Sequence, residues 1–167
     1  VRCFSDDNVI HVDGSVNAGR DIEVINLELI FSDIEILDRR IARVEKDLKG
    51  DRSLADELAL LKQLKAHLEE GKSARAFVCD EEEKEIISAL PLLSNKPIIY
   101  AANMSEDDFI EGVENNENYK FVEEIAKSEN AAVMPVCAKF EEEVSDMEPD
   151  EKKEFLAEIN LEESGLD

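Results

Sequence analysis

Apolar residues along this chain change period several times, and each change marks an element. Val1–Phe4 reads as the end of a strand, and the polar turn Ser5, Asp6, Asp7, Asn8 follows it. Ile10, Val12 and Val16 then dot an irregular stretch that runs to Gly19. From Leu27 the apolar positions fall at Leu27, Ile30, Ile34, Leu37, Ile41, Val44 and Leu48, alternately three and four residues apart. That is a heptad seam with charges on the other faces, and it predicts a helix from about Asp21 to Lys49, roughly 40 Å long. Gly50 supplies a stop. Ser53 with Asp56 resembles a capping box opening a second helix, which carries Leu54, Leu58, Leu61, Leu64 and Leu68 and ends at Gly71. Two amphipathic helices joined by a short turn predict an antiparallel hairpin in which each buries the other's stripe.

Beyond the hairpin the pattern is strand and helix in alternation. Ala76–Val78 is a short apolar stretch that could be extended. Asp80–Leu90 reads as a helix whose acidic first turn (Glu81, Glu82, Glu83) suits the positive end of its dipole. Pro97 opens the apolar run Ile98–Ala102, which stops abruptly at Asn103, Met104, Ser105 and Glu106. Glu117–Ser128 is a helix with Tyr119, Val122, Ile125 and Ala126 on its inner face, and Ala131–Val136 is a second strand ending in Cys137, Ala138 and Lys139. Pro149–Ile159 reads as one more helix. Alternation with short loops implies parallel crossovers, so the expected architecture is α/β, interrupted by a helical insertion.

Charge narrows the function classes. Among 167 residues, 42 Asp plus Glu stand against 19 Lys plus Arg, a formal charge of −23, while the 43% hydrophobic content supports a real core. Such a balance argues against direct nucleic-acid binding by this segment, because a phosphate backbone rewards clustered Lys and Arg. Cys3, Cys79 and Cys137 are odd in number and widely spaced, and His11 and His67 stand alone, so neither a disulfide framework nor a zinc site is expected. No apolar run approaches the ~18 residues of a membrane span, and no membrane partner is expected. The chain opens on Val1 inside a strand, as a segment of a longer protein would.

The chemistry concentrates at two strand ends. In open α/β sheets the ligand crevice lies at the carboxyl ends of the strands, and here those ends are Asn103–Glu106 and Cys137–Lys139. They stand where Ras-like G domains carry the base-reading N-K-x-D and S-A-K motifs. An Asp in the first motif accepts hydrogen bonds from N1–H and the exocyclic amine of guanine. Adenine offers a lone pair at N1 and no such amine. The Asn103-x-x-Glu106 form lacks the basic residue and lengthens the acid by one methylene, which weakens that guanine test. Gly14 and Gly19 have the spacing of a phosphate-binding loop, but Arg20 and Asp21 follow where Lys and Ser/Thr are required. Asp21 would set a carboxylate against a phosphate, so Gly14–Arg20 is read as a turn leading into a helix.

Together these features resemble the YchF/Obg-like ATPase family, in the Val1-Arg2-Cys3-Phe4 strand, the segment from His11 to Val16, the helix start Arg20-Asp21-Ile22-Glu23, the inserted hairpin and the Asn-x-x-Glu loop. The resemblance covers essentially the whole chain. It implies a partial Ras-like P-loop NTPase sheet with an inserted antiparallel helical hairpin (a coiled coil). Residues 1–20 would be a G-domain strand and connection, 21–75 the hairpin arm, 76–146 the rest of the G domain, and 147–167 a helix and linker toward a TGS domain that the chain does not contain. It further implies that Asn103 contacts adenine by its side chain and Met104 by its backbone, that Glu106 holds the loop, and that Cys137, Ala138 and Lys139 close the pocket. Cys137 replaces the family's Ser, and a thiol is the weaker donor. The full-length protein would be a cytoplasmic, ribosome-associated ATPase that prefers ATP to GTP and uses Mg²⁺. The 167-residue piece alone, having no G-x-x-x-x-G-K-[ST] loop, would be inactive. The reading from another class is a non-enzymatic adaptor built on the acidic hairpin.

Overall fold

The structure is a computed structural model that describes residues 1–5, 16–145, 147–148 and 151. The expected turn at Asp6–Asn8, most of the segment from His11 to Val16, Gly14, and the expected helix Pro149–Ile159 apart from Glu151 lie outside the described residues, as does the tail. The chain forms two compact units, Val1–Ile22 with Ile98–Asp167, and Glu23–Pro97.

The unit Glu23–Pro97 is helical. Helix α1 spans Ala18–Asp47, 30 residues, and starts before the expected Asp21 because the Asn17 side chain accepts the Arg20 N–H at 3.0 Å. The α1 seam largely follows the heptads: Ile30, Leu37, Ile41 and Val44 are buried, but Leu27 is 42% exposed. A helix with 3.6 residues per turn drifts from a 3.5 repeat by about 20° per heptad. Leu27 therefore rotates outward while Asp33, absent from the apolar pattern, is 0% exposed. Helix α2, Ala55–Glu69, buries Leu60, Leu61, Leu64 and Leu68 in the same core as α1. The ion pairs Arg40–Glu57, Lys62–Glu45 and Lys65–Asp38 flank that core.

Two local expectations in this unit are corrected. The cap before α2 is Asp51, not Ser53: the Asp51 carboxylate accepts the Ser53 N–H and hydroxyl at 2.9 and 2.7 Å, opening a 3-10 turn at Arg52–Leu54 that leads into α2. Gly71 then ends the helix with φ +79°, a left-handed conformation that favours glycine. The second concerns Ala76–Val78, where Ala76 is helical while Phe77 is extended (φ −73°, ψ 126°) but joins no strand. The chain makes a 3-10 turn at Ala74–Ala76, held by Ala74 N–H to Ser94 Oγ at 2.9 Å, and Val78 stands 92% exposed. Helix α3, Glu81–Ser88, bears out the acidic first turn, since Asp80 and Glu83 form a reciprocal capping box.

In the other unit the sheet positions the candidate site. Strand β1, Ile99–Asn103, pairs in parallel with β2, Ala132–Val136, in a register that sets Ile99 opposite Ala132 and Asn103 opposite Val136. Residues 1–3 lie on the other side of β1: Arg2 bridges Asn103 in parallel, Asn103 N–H donates to Val1 O at 2.7 Å, and Cys3 N–H donates to Asn103 O at 2.8 Å. The sheet alternates as the period-2 pleat requires. Tyr100 and Ala102 face a core with Cys3, Ala18, Ile22, Tyr119, Val122 and Ala126, whereas Ile99 and Met134 on the opposite face are 70% and 40% exposed.

Among the described residues, three α-helices belong to this unit besides the start of α1. The expected helix Glu117–Ser128 forms over those residues and is α5, with Asn116 as its cap. Two more were not expected: α4, Glu106–Glu111, and α6, Ala138–Ser145. Both begin directly at the strand ends. Gly19 lies inside α1, buried, with the Phe121 ring packed so closely that a β-carbon would fall 2.2 Å from it. Its smallness serves packing, in keeping with the helix-start reading of Gly14–Arg20.

Candidate functional site

Asn103 is the last residue of β1, and its backbone N–H and C=O are both engaged with residues 1–3. Only the carboxamide projects. Its Oδ1 accepts the Ala138 N–H at 3.0 Å, so the amide orientation is fixed by chemistry: a backbone donor must meet the oxygen, and Nδ2 with its two hydrogens faces away. The loops after β1 and β2 are thus tied together by one side chain. Parallel pairing makes this possible, because neighbouring parallel strands end on the same side.

Met104 continues the ladder by one bond, N–H to Val136 O at 2.8 Å, and the residue as a whole is 1% exposed, with its side chain in the core. Expectation gave Met104 a backbone role toward a base. Its N–H is already engaged, which leaves its carbonyl oxygen for that role. Ser105 turns the chain into α4. Its hydroxyl accepts the Asp108 N–H at 3.2 Å, and Asp108 Oδ2 accepts the Ser105 N–H at 2.8 Å and the hydroxyl proton at 2.6 Å. The other Asp108 oxygen accepts from Asn116 Nδ2 at 2.9 Å. Burial pushes the Asp108 carboxyl up, but the bonds from Asn116 and Ser105 outweigh it and hold it below the usual carboxylate range. Asn116 also donates to Cys3 O at 3.0 Å, so this carboxylate indirectly braces the edge at residues 1–3.

Glu106 is the first residue of α4, where a carboxylate is favoured by the helix dipole. Lys139, in the first turn of α6, reaches it with Nζ 2.8 Å from Oε1. Hydrogen bonding and attraction from Glu106 raise the Lys139 pKa. Lys139 Nζ also lies 3.8 Å from Glu143. Cys137 sits between the strand and α6, 4% exposed, and burial pushes its thiol up.

A cleft of about 270 Å³ opens here, lined by Asn103, Met104, Glu106, Cys137 and Lys139. Ala138 contributes the N–H that orients Asn103. All six residues singled out by sequence therefore gather in one place. Sequence reasoning missed four further lining residues: Phe4, Ser5, Ser105 and Asp107. The Ser105-x-x-Asp108 spacing was the available sign of a helix start. Phe4 carries the Arg2 guanidinium 4.7 Å above its ring. Among the described residues there is no cluster of His, Cys, Asp and Glu fit to hold a metal ion, and no helix is long and apolar enough to cross a membrane. Cys3, Cys79 and Cys137 form no disulfides.

No family model matches the chain. Curated proteins do. It is 46% identical over 168 residues to the ribosome-binding ATPase YchF of Bacillus subtilis (strain 168), covering 100% of this chain and 46% of that protein. It is 44% identical over 167 residues to the ribosome-binding ATPase YchF of Escherichia coli O157:H7, covering 99% and 45%. Among solved structures, that of the Schizosaccharomyces pombe YchF GTPase superposes with a TM-score of 0.77 at 29% identity, covering 97% of this chain and 45% of that one. The chain spans a little under half the length of these relatives. Matched along practically its whole length by proteins of one name at identities up to 46%, the chain belongs to the YchF family.

Proposed function

We propose that this segment is the base-recognition half of a nucleotide-binding domain in a P-loop ATPase, with ATP preferred over GTP. The Asn103–Ala138 bond carries the reading. It makes Asn103 Nδ2 an outward donor at the mouth of the cleft, suited to a ring nitrogen of a purine, beside the Met104 carbonyl oxygen. A carbonyl there accepts from the 6-amino group of adenine and repels the 6-oxo group of guanine. Glu106 and Lys139 occupy each other across the cleft, and Cys137 packs at its side. The names of the relatives support ATP as the nucleotide and the ribosome as partner, and a ribosomal partner is in keeping with a place in the cytoplasm. Mg²⁺ would enter with the phosphates of ATP. Among the described residues no group of three or more His, Cys, Asp and Glu is placed to hold the ion, and this segment is assigned no part in holding it.

The remaining assignments belong to the same reading. Residues 21–75 are an inserted antiparallel hairpin that serves as an interaction arm. Its support is the shared α1–α2 core and the pairing of Asp38 with Lys65 and Glu45 with Lys62, in which partner numbers fall on one helix as they rise on the other. Residues 1–20 and 76–146 belong to a Ras-like G domain, and 147–167 lead toward a TGS domain.

Calorimetry on a protein that contains this segment and extends to the length of the YchF relatives tests the proposal. Micromolar binding of ATP, tighter than that of GTP, is the expected result. No heat with either nucleotide would refute it and favour the adaptor reading. The isolated 167-residue chain should release no phosphate from Mg²⁺–ATP, and measurable turnover would overturn that part.

A further inference from the structure

The first turn of α4 carries Glu106, Asp107 and Asp108, and the first two line the cleft, a poor arrangement for rejecting guanine. Any carboxylate that can turn toward the Watson–Crick edge will accept from guanine N1–H and its 2-amino group. Asp108 cannot, since both its oxygens are held by Ser105 and Asn116. Glu106 stands at the acid position of the base-reading loop, lines the cleft, and has reach to spare. What occupies it is Lys139, 2.8 Å away and reaching over from the loop after the neighbouring strand.

We propose that Lys139 sets the base preference of this site, by holding the Glu106 carboxylate away from the purine edge. This rests on the reading of the cleft as a nucleotide site. Lys139 is here a positioning residue that acts through Glu106. Its ammonium is shared, since Glu143 one helical turn along α6 lies 3.8 Å from it, so a carboxylate on its own helix helps keep it over the α4 terminus. The Lys139 and Glu106 side chains are 71% and 36% exposed. The pair is therefore open to salt, and its effect on preference is modest, about three- to tenfold.

The test uses the protein at the length of its YchF relatives, with ATP and GTP dissociation constants measured for wild type, Lys139→Met, Lys139→Arg, Glu106→Gln and the double variant Lys139→Met/Glu106→Gln. Lys139→Met should tighten GTP binding about three- to tenfold relative to ATP. Lys139→Arg should keep the wild-type ratio, and Lys139→Met should have no effect on the ratio in the Glu106→Gln background. A gain for one nucleotide is a result that loss of structure cannot produce. Equal weakening of both nucleotides, a selective loss of GTP (Lys139 touching the base itself), or the same effect with and without Glu106 would overturn the proposal. A wild type that binds neither nucleotide overturns the nucleotide reading as well. One that binds both, with a ratio unmoved by Lys139→Met, overturns this inference alone.

Discussion

Replacing Asp33 by Ala tests the least expected feature of the helical unit. Its carboxylate, 0% exposed, accepts the Leu93 N–H at 2.7 Å and the Ser94 N–H at 2.8 Å. Ser94, itself 2% exposed, passes the connection on: its hydroxyl accepts the Ala74 N–H, and its carbonyl accepts from Arg75 N–H at 3.2 Å and Nη1 at 3.0 Å. One carboxylate on α1 thus anchors two otherwise irregular segments. Hydrogen bonds to a charged group contribute about 1.5–3 kcal/mol each, and a donor left buried costs about 1–3 kcal/mol. The Leu93 N–H is only partly buried and water can reach it, so the full sum does not apply. Asp33→Ala should cost about 3–5 kcal/mol. Asp33→Asn keeps one acceptor but turns an NH₂ toward the second donor, for a loss of about 2 kcal/mol.

Urea unfolding followed by circular dichroism measures this, and with a slope near 2 kcal/mol per M the Asp33→Ala midpoint should drop by about 2 M. Asp38→Ala, which breaks the exposed pair with Lys65, should leave the midpoint almost where it was. Hydrogen exchange adds a local readout, in which the Ala74 and Ser94 amides lose protection before those of the α1–α2 core. An Asp33→Ala loss under about 1 kcal/mol, or exchange that speeds up uniformly, would refute the anchoring role.

Further outcomes follow from the other unit. Burial pushes the Cys3 thiol up to about 11 from its ordinary value of 9.0. Its folded pKa is thus raised, so the stability tied to the protonated thiol is complete below pH 9 and drains away between pH 9 and 11. Urea midpoints across that range should fall more steeply for wild type than for Cys3→Ala, and parallel curves would contradict it. A thiol reagent on the native chain should label half-buried Cys79 before Cys3 and Cys137, and equal rates would count against the burial of the latter two. Asn103→Ala strips the Ala138 N–H of its acceptor and should weaken ATP binding about tenfold in the longer protein, the equivalent of one good hydrogen bond. Phe140→Ala, in the core of α6 with Cys137 and Val144, should cost about 3–4 kcal/mol in the same unfolding assay.

What the sequence showed and what it hid divide along physical lines. Strands β1 and β2 were legible as short apolar runs that stop at polar residues, and helix α5 by the apolar stripe that its buried face writes into the chain. The convergence of Asn103 with Ala138 followed from the same fact, given that parallel neighbours end together. Helices α4 and α6 were not legible, because six residues of Glu106–Glu111 and eight of Ala138–Ser145 are too few for a stripe to stand out from their acids. Asp33 was hidden for the opposite reason: its partners are backbone N–H groups, to which side-chain patterns are blind. The site shows the consequence. The family resemblance nominated Met104 for a backbone contact, yet only the ladder bond to Val136 reveals which of its two backbone groups is already committed. The same holds for Glu106, whose identity is plain in the sequence while its occupation by Lys139 depends on two helix starts meeting across a strand pair. Preference between bases that differ by a few donors and acceptors is decided by which groups stay uncommitted, so the Lys139 and Glu106 variants probe a property that the Asn-x-x-Glu motif alone does not define.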